Sequence, residues 1–171
     1  MFNELIGEYF SNKYNMDFRC LRYPGVISST KYAFNGTTDY STEIFFSLLE
    51  KNSYAVPLGP DQGLPMIYVD DCIDATVRFL KCDPNKLQRT VYNLAGISFT
   101  PKELVDAIQK LNLFPGSKVT YEPDFRSKIA ASWPVSLDDS TSKRDWNWEY
   151  DVTIVDLAKK IYDGIEPQYK K

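Results

Sequence analysis

Apolar residues recur along this chain with two periods. Phe2, Leu5, Ile6, Tyr9 and Phe10 return at three- and four-residue spacing, which predicts a helix with a wide apolar face. Phe18 to Leu21 is a short apolar run closed by Pro24-Gly25 and predicts a strand. Asn35-Gly36 predicts a turn. After it, Thr38 or Asp39 can cap a second helix with Tyr40, Ile44, Leu48 and Leu49 on one face. Pro57 to Pro65 carries little but turn chemistry. Met66 to Val69 predicts a second strand, and Asp70 is placed to cap a helix presenting Ile73, Val77 and Leu80. Thr90 to Leu94 predicts a third strand.

The sharpest local signal comes next. Thr100 and Glu103 match a capping box, Pro101 sits at the first helical position, and Phe99 can staple against Leu104. Lys118 to Tyr121 predicts a fourth strand, Ser140 to Asp145 a short helix, and Val152 onward a last amphipathic helix. Strands alternating with helices predict an α/β fold with mainly parallel pairing. The strands are few for that class, and no glycine-rich turn links a strand to a helix. A dinucleotide's pyrophosphate needs such a turn, so its main cradle is not expected here.

Composition narrows the function classes. A chain of 171 residues with 43% hydrophobic and 25% charged residues has the make-up of one globular domain rather than of a disordered segment. Twenty basic against twenty-three acidic residues leave a net charge of −3, which offers no field for a phosphate backbone and argues against nucleic acid as a partner. No apolar run reaches membrane-spanning length, and no charged-then-apolar leader opens the sequence, so no membrane partner is expected. There is no histidine, which removes a Ser-His-Asp triad, a Cys-His pair and histidine-built zinc sites. Cys20, Cys72 and Cys82 are odd in number and lack metal-ligand spacing, so neither a disulfide framework nor a metal site is expected. Asn35-Gly36-Thr37 matches a glycosylation tripeptide but is more simply a turn.

Candidate chemistry sits in a few places. Tyr9 and Lys13 share a helix face as a Tyr-x-x-x-Lys pair, and a lysine beside a phenol favours its use as a base. Tyr9 also belongs to the apolar stripe, and packing is the preferred role. Gly36-Thr37-Thr38-Asp39-Tyr40 marks a loop entering a helix, where hydroxyls and backbone N–H groups can hold a carboxylate, or where Asp39 is a plain N-cap. Asp70-Asp71 and Asp138-Asp139 precede helices and are expected to answer the helix dipole rather than to form catalytic pairs. Trp146 and Trp148 are expected in the core, and Trp133, beside Pro134, in the wall of a site.

Several of these segments carry a family likeness. Leu21-Arg22-Tyr23-Pro24-Gly25, Gly36-Thr37-Thr38-Asp39-Tyr40, Leu64-Pro65-Met66-Ile67-Tyr68 and Tyr92-Asn93-Leu94-Ala95-Gly96 resemble one family, as do Tyr121-Glu122-Pro123-Asp124-Phe125-Arg126 and Ser132-Trp133-Pro134. Together they resemble the L-threonine 3-dehydrogenases of the extended short-chain dehydrogenase type, within the NAD-dependent epimerase/dehydratase superfamily. The likeness runs from Met1 to about Ala158. Sugar-nucleotide epimerases or dehydratases share the Arg-Tyr-Pro-Gly segment and stand as the alternative, and a truncated product without catalysis is a third reading.

The resemblance implies the C-terminal part of a Rossmann-like fold with its small substrate-binding subdomain, as a single unit over residues 1–171. It implies NAD as cofactor of the complete protein, L-threonine as substrate and 2-amino-3-oxobutanoate as product. Pro24, Gly25 and Val26 would meet the nicotinamide end of NAD. Thr37 and Thr38 would line the threonine pocket, Trp133 would close it, and Met1 to Tyr14 would pack subunits into a homodimer. No catalytic residue is expected in this chain: the family's Tyr-x-x-x-Lys would fall just before Met1, with the glycine-rich loop further upstream, so the isolated chain is expected to be inactive. The resemblance points to the mitochondrion, with the cytoplasm as alternative. Departures are Phe34-Asn35-Gly36, where the family is richer in glycine, Gly63 in an arginine position, and Asn147 in a glycine position.

Overall fold

The structure, a computed structural model, describes residues 2–30 and 36–169, with side chains described as far as residue 165. Met1 and the Phe34-Asn35 part of the expected turn lie outside the described residues. Helix α1 (Phe2–Tyr14) leads into strands β1 (Cys20–Arg22) and β2 (Gly25–Ile27). Helix α2 (Tyr40–Lys51) is followed by β3 (Ser53–Val56), β4 (Leu64–Tyr68) and α3 (Val69–Lys81). After a 3-10 turn at Pro84–Lys86 come β5 (Val91–Asn93), β6 (Ile97–Phe99), α4 (Pro101–Lys110) and β7 (Lys118–Tyr121). Helices α5 (Phe125–Ala131), α6 (Ser140–Trp146) and α7 (Ile154–Tyr169) complete the chain.

The strands form three small sheets: β1 with β5, β2–β4–β6, and β3 with β7. Pairing is parallel except between β4 and β6. The expected α/β class with mainly parallel pairing is therefore observed. Strands β2, β3 and β6 were not read from the sequence: β2 opens within the Pro24-Gly25 turn signal, and β3 and β6 lie one residue from helices α2 and α4. The Pro57–Pro65 stretch ends inside β4, not before it. Pro65 precedes Met66, the first β4 residue paired with β2, so its missing N–H costs no bond on that side.

Every residue of β4 is buried. Met66 joins the larger core, where α2 supplies Ile44, Phe45 and Leu48, α4 supplies Leu104 and Ile108, and α7 supplies Leu157, Ala158 and Ile161. The adjacent Ile67 joins a second core with Cys72, Ala75, Phe79, Tyr92, Leu94, Trp146 and Trp148. Alternation along one strand thus separates two cores. The capping box forms as expected: the Thr100 hydroxyl accepts from Glu103 N at 3.2 Å, and the Glu103 carboxylate accepts from Thr100 N at 2.7 Å. Trp146 and Trp148 are core, with ring centroids 5.5 Å apart. Beneath them the buried Asp145 accepts from the Tyr92 hydroxyl at 2.6 Å and from Arg144 Nε at 2.7 Å. Desolvation pushes that carboxyl upward, but the donors from Arg144, Tyr92 and the Gln88 backbone outweigh it and hold it below the usual carboxylate range.

Two helix expectations need correction. Helix α3 begins at Val69, with Tyr68 in the N-cap position, so Asp70 lies in the first turn and does not cap. Its buried face is Cys72, Ala75 and Phe79, whereas Ile73, Val77 and Leu80 are 57%, 41% and 62% exposed. The helix carries two apolar stripes, and the one bearing the Phe79 ring is taken by Tyr92 and Trp146, at centroid distances of 5.4 and 5.3 Å. The apolar face of α1 is exposed likewise, and its buried residue is Gly7. A side chain at Gly7 would collide with the Phe18 ring, so the helix meets the rest of the chain through its bare backbone there and through Glu4, which accepts from Arg22 Nε at 2.9 Å and Nη2 at 2.7 Å.

Gly96, between β5 and β6, shows how closely β4 is approached. A Cβ there would overlap the Met66 carbonyl oxygen and lie 2.9 Å from Ile67 Cβ. The Gly96→Ala variant should lose about 1–3 kcal/mol of stability, as overpacked sites do. Urea unfolding checks this, and an unchanged midpoint would mean the turn can move away from β4.

Candidate functional site

Of the residues expected to meet cofactor and substrate, Pro24 leads into β2, Gly25 and Val26 open it, and Thr38 lies against Gly25. Pro24 is buried, Gly25 half-buried, and Val26 is 42% exposed. Strand β2 is the edge of its sheet, with Val26 opposite Ile67 of β4, so one side of its backbone faces away from β4. Gly25 abuts Thr38: a Cβ at Gly25 would fall 2.8 Å from Thr38 Cγ2 and 3.4 Å from the Pro65 oxygen. A side chain at Gly25 would push Thr38 away.

The entry to α2 differs from a plain N-cap. Asp39 occupies the N-cap position, but its side chain caps nothing and instead accepts from Gly36 N at 2.7 Å. The N–H of Ser41 bonds to the Thr38 oxygen, and those of Thr42 and Glu43 bond to the Asp39 oxygen. Backbone oxygens therefore already take these donors, which removes most of the bare N–H nest the sequence suggested. The hydroxyls remain. Thr37 is 7% exposed and Thr38 half-buried, and among the described residues neither hydroxyl makes a hydrogen bond. Two unpaired hydroxyls beside an exposed edge strand can serve a small polar ligand.

The segment after β2 is fixed from three directions. The buried Thr42 hydroxyl donates to the Ser28 oxygen at 3.0 Å, and the Ser29 hydroxyl is 3.0 Å from the Tyr68 hydroxyl at the end of β4. From α7, Gly164 comes so close that a Cβ there would overlap Ser29 Oγ. Tyr68 is held in turn by Lys160, whose ammonium lies 4.4 Å from the ring centroid and pairs with Asp71 at 2.9 Å. Tyr150 donates to the same carboxylate at 3.2 Å. The sequence reading missed Ser29, Tyr68 and Gly164, because nothing local marks three residues that meet only after folding.

Trp133 follows α5 and is 44% exposed, with its N–H bonded to the Ala130 oxygen at 3.0 Å. Helix α5 hangs on the turn before β4: Ser127 Oγ donates to Gln62 Oε1 at 2.8 Å, and Gln62 Nε2 returns a bond to the Ser127 oxygen at 2.8 Å. Val135 lies 4.0 Å from the Cβ position of Gly63, two residues before Pro65. Val135, two residues after Trp133, thus lies beside Gly63, the residue that precedes β4. The space beside Gly63, bounded by Thr100 and Val135, admits a side chain without collision.

Other candidates resolve into structural roles. Lys13 donates to the Tyr9 hydroxyl at 2.6 Å, but both are exposed on α1, Tyr9 at 51%. The bonds to Tyr9 and then Tyr14 hold the Lys13 ammonium above its ordinary range. Asp71 holds Lys160, Asp138 accepts from Ser140 N at 2.9 Å, and Asp139 pairs with Lys143 at 3.1 Å. Asn147 adopts φ 57° and ends α6, so asparagine serves in the expected glycine position. Among the described residues no group of three His, Cys, Asp or Glu could hold a metal ion, and no helix is long and apolar enough to cross a membrane. A groove of about 890 Å³ lies between α1 and residues 84–91 and is lined by none of Thr37, Thr38 and Trp133.

No protein-family model matches the chain. It is 42% identical over 156 residues to the L-threonine 3-dehydrogenase, mitochondrial, of Bos taurus, which covers 91% of this chain and 41% of that protein. The crystal structure of L-threonine dehydrogenase from Phytophthora infestans superposes with a TM-score of 0.89 at 42% identity, over 95% of this chain and 53% of the other. L-threonine 3-dehydrogenase from Trypanosoma brucei superposes with a TM-score of 0.91 at 34% identity, over 99% and 52%. The chain spans about half the length of the relatives it matches.

Gly164 supplies a test of the fixed loop that needs no ligand. The Gly164→Ala variant should displace Ser29 and break its bond to Tyr68, with a loss of about 1–3 kcal/mol. Ser29→Ala should cost less, because it removes the bond without the collision. Equal midpoints for both variants in chemical denaturation would show that the close approach carries no weight.

Proposed function

We propose, from the premise that this chain is a homologue of the L-threonine 3-dehydrogenases of the extended short-chain dehydrogenase type, that it supplies the substrate-side half of an NAD-dependent oxidation of L-threonine. The observation that carries the proposal is the contact of Gly25 with the methyl group of Thr38, next to two threonine hydroxyls that make no hydrogen bond among the described residues. A ligand lying along the open edge of β2 would pass the Thr38 methyl there and could reach the Thr37 and Thr38 hydroxyls. Val26, exposed on that strand, fits the nicotinamide end of NAD. The pyrophosphate end has no counterpart, since no glycine-rich strand–turn–helix occurs among the described residues.

NAD, when bound, would accept a hydride from the β-carbon of threonine, giving 2-amino-3-oxobutanoate as the hydroxyl proton departs to a base. The residues of this chain would bind and orient: Thr37 and Thr38 through their hydroxyls, Gly25 by leaving room, and Trp133 by excluding water at the mouth. The base, a tyrosine of a Tyr-x-x-x-Lys pair, would come from residues outside this chain; the Tyr9–Lys13 pair is exposed and lines none of this cluster. The exposed face of α1 would pack against a second subunit of the complete protein. The mitochondrion is the compartment proposed, after the name of the mammalian relative.

Two measurements test this reading. In the complete protein, Thr38→Val should raise KM for threonine roughly ten- to a hundred-fold, the equivalent of one hydrogen bond to a charged group, and leave NAD affinity unchanged. An unaltered KM would return both threonines to packing alone. Titrated with NAD, the chain by itself should show no saturable micromolar binding and no NADH formation with threonine. Turnover lost in the Tyr9→Phe variant would instead make the exposed pair the active site.

A further inference from the structure

Helix α3 exposes an apolar stripe that no described part of the chain covers. Ile73, Val77 and Leu80 are 57%, 41% and 62% exposed, and Tyr23, at 46%, lies beside them with its hydroxyl 2.9 Å from that of Thr76. The stripe is flanked by charge in an ordered way. At about 100° per residue, Asp70, Asp74 and Lys81 fall on one flank, the acids toward the N-terminal end of the helix and the lysine at its C-terminal end, with Arg78 further round the same side and 3.8 Å from Asp74. The opposite flank carries Thr76 and Tyr23. Asp70, Asp74 and Lys81 are all exposed.

This surface complements itself. A two-fold axis at Val77, perpendicular to the helix, sets two α3 helices antiparallel and brings like flank to like flank. Val77 then meets its own copy, and Ile73 meets the Leu80 end of the other helix. At about 1.5 Å rise per residue, Lys81 of one copy lies within about 2 Å, measured along the axis, of the level of Asp74 on the other, and within about 5 Å of Asp70. A parallel two-fold pair would instead set this charged flank against the uncharged flank of Thr76 and Tyr23, with no charge paired across the contact. We propose that α3 is a homotypic contact surface through which two copies of this chain associate antiparallel, separate from the exposed face of α1. Two single-helix faces bury less than the roughly 1,200–2,000 Å² of a standard interface, so the dimer is weak and dependent on concentration. Apolar contact at the stripe supplies affinity, and the flanking charges set direction and register.

The test uses the purified chain and its Ile6→Glu variant, in which association through α1 is suppressed. Sedimentation equilibrium over a concentration series should show a monomer–dimer equilibrium in both, abolished by Val77→Glu. Lys81→Glu should weaken the dimer several-fold, and adding Asp74→Lys should recover it. Under mild oxidation, Val77→Cys should give a disulfide-linked dimer well above the background from Cys20, Cys72 and Cys82, whereas Ile73→Cys, away from the axis, should give far less. All these positions are exposed, and unchanged circular dichroism verifies folding. A chain that stays monomeric in the Ile6→Glu background overturns the proposal. So does a dimer indifferent to Val77→Glu, or cross-linking no greater at Val77 than in the unaltered chain.

Discussion

Burial of β4 on both faces is the constraint from which the rest of the architecture follows. A strand with all five residues inside must surrender water on each side, and it does so by dividing two cores. Met66 faces the helices α2, α4 and α7, while Ile67 faces the aromatic cluster of Phe79, Tyr92, Trp146 and Trp148. Its backbone pairs in parallel with β2 over Met66–Tyr68 and antiparallel with β6 over Leu64–Met66, so each end of the strand has a partner. The neighbours must then come close, and Gly25 and Gly96 both lie against the backbone of β4, where larger residues would not fit.

The candidate site inherits its geometry from that strand. Strand β2 is held on one edge of β4 with its other edge open, which sets Gly25 and Val26 beside Thr38. At the far end, Tyr68 reaches Ser29, and Lys160 and Asp71 steady Tyr68 from α7 and α3. A site built on a buried strand can keep its polar groups within hydrogen-bond reach of a ligand because the scaffold beneath has little freedom to shift. Among the described residues the threonine hydroxyls are unpaired, Thr37 buried and Thr38 half withdrawn from water, and an unpaired polar group so placed gains when a ligand bonds to it.

The exposed faces of α1 and α3 belong to the same picture. Both helices carry more apolar surface than a single packed side requires, and each buries its smaller face: Gly7 in α1, and Cys72, Ala75 and Phe79 in α3. The periodicity of both helices was plain in the sequence, but the side each would turn inward was not. Periodicity reports that an apolar stripe exists, and only the shape of the partner surface selects which stripe is buried. In α3 the winning stripe is the one whose ring fits between Tyr92 and Trp146.

The sequence by itself determined the α/β class, the capping box at Thr100 and Glu103, the core tryptophans, the left-handed position at Asn147 and the family likeness. Each rests on residues adjacent or one helical turn apart, where local sterics and hydrogen bonding decide. Tertiary structure alone decided that β2, β3 and β6 are strands, because each gains its hydrogen bonds from residues distant in the chain. It also decided that the Asp39 carboxylate turns back to Gly36, that Gly25 touches Thr38, and that Ser29 is clasped between Tyr68 and Gly164. Those outcomes depend on which surfaces meet once β4 is buried, and that free energy belongs to the packed arrangement of many segments rather than to any one of them.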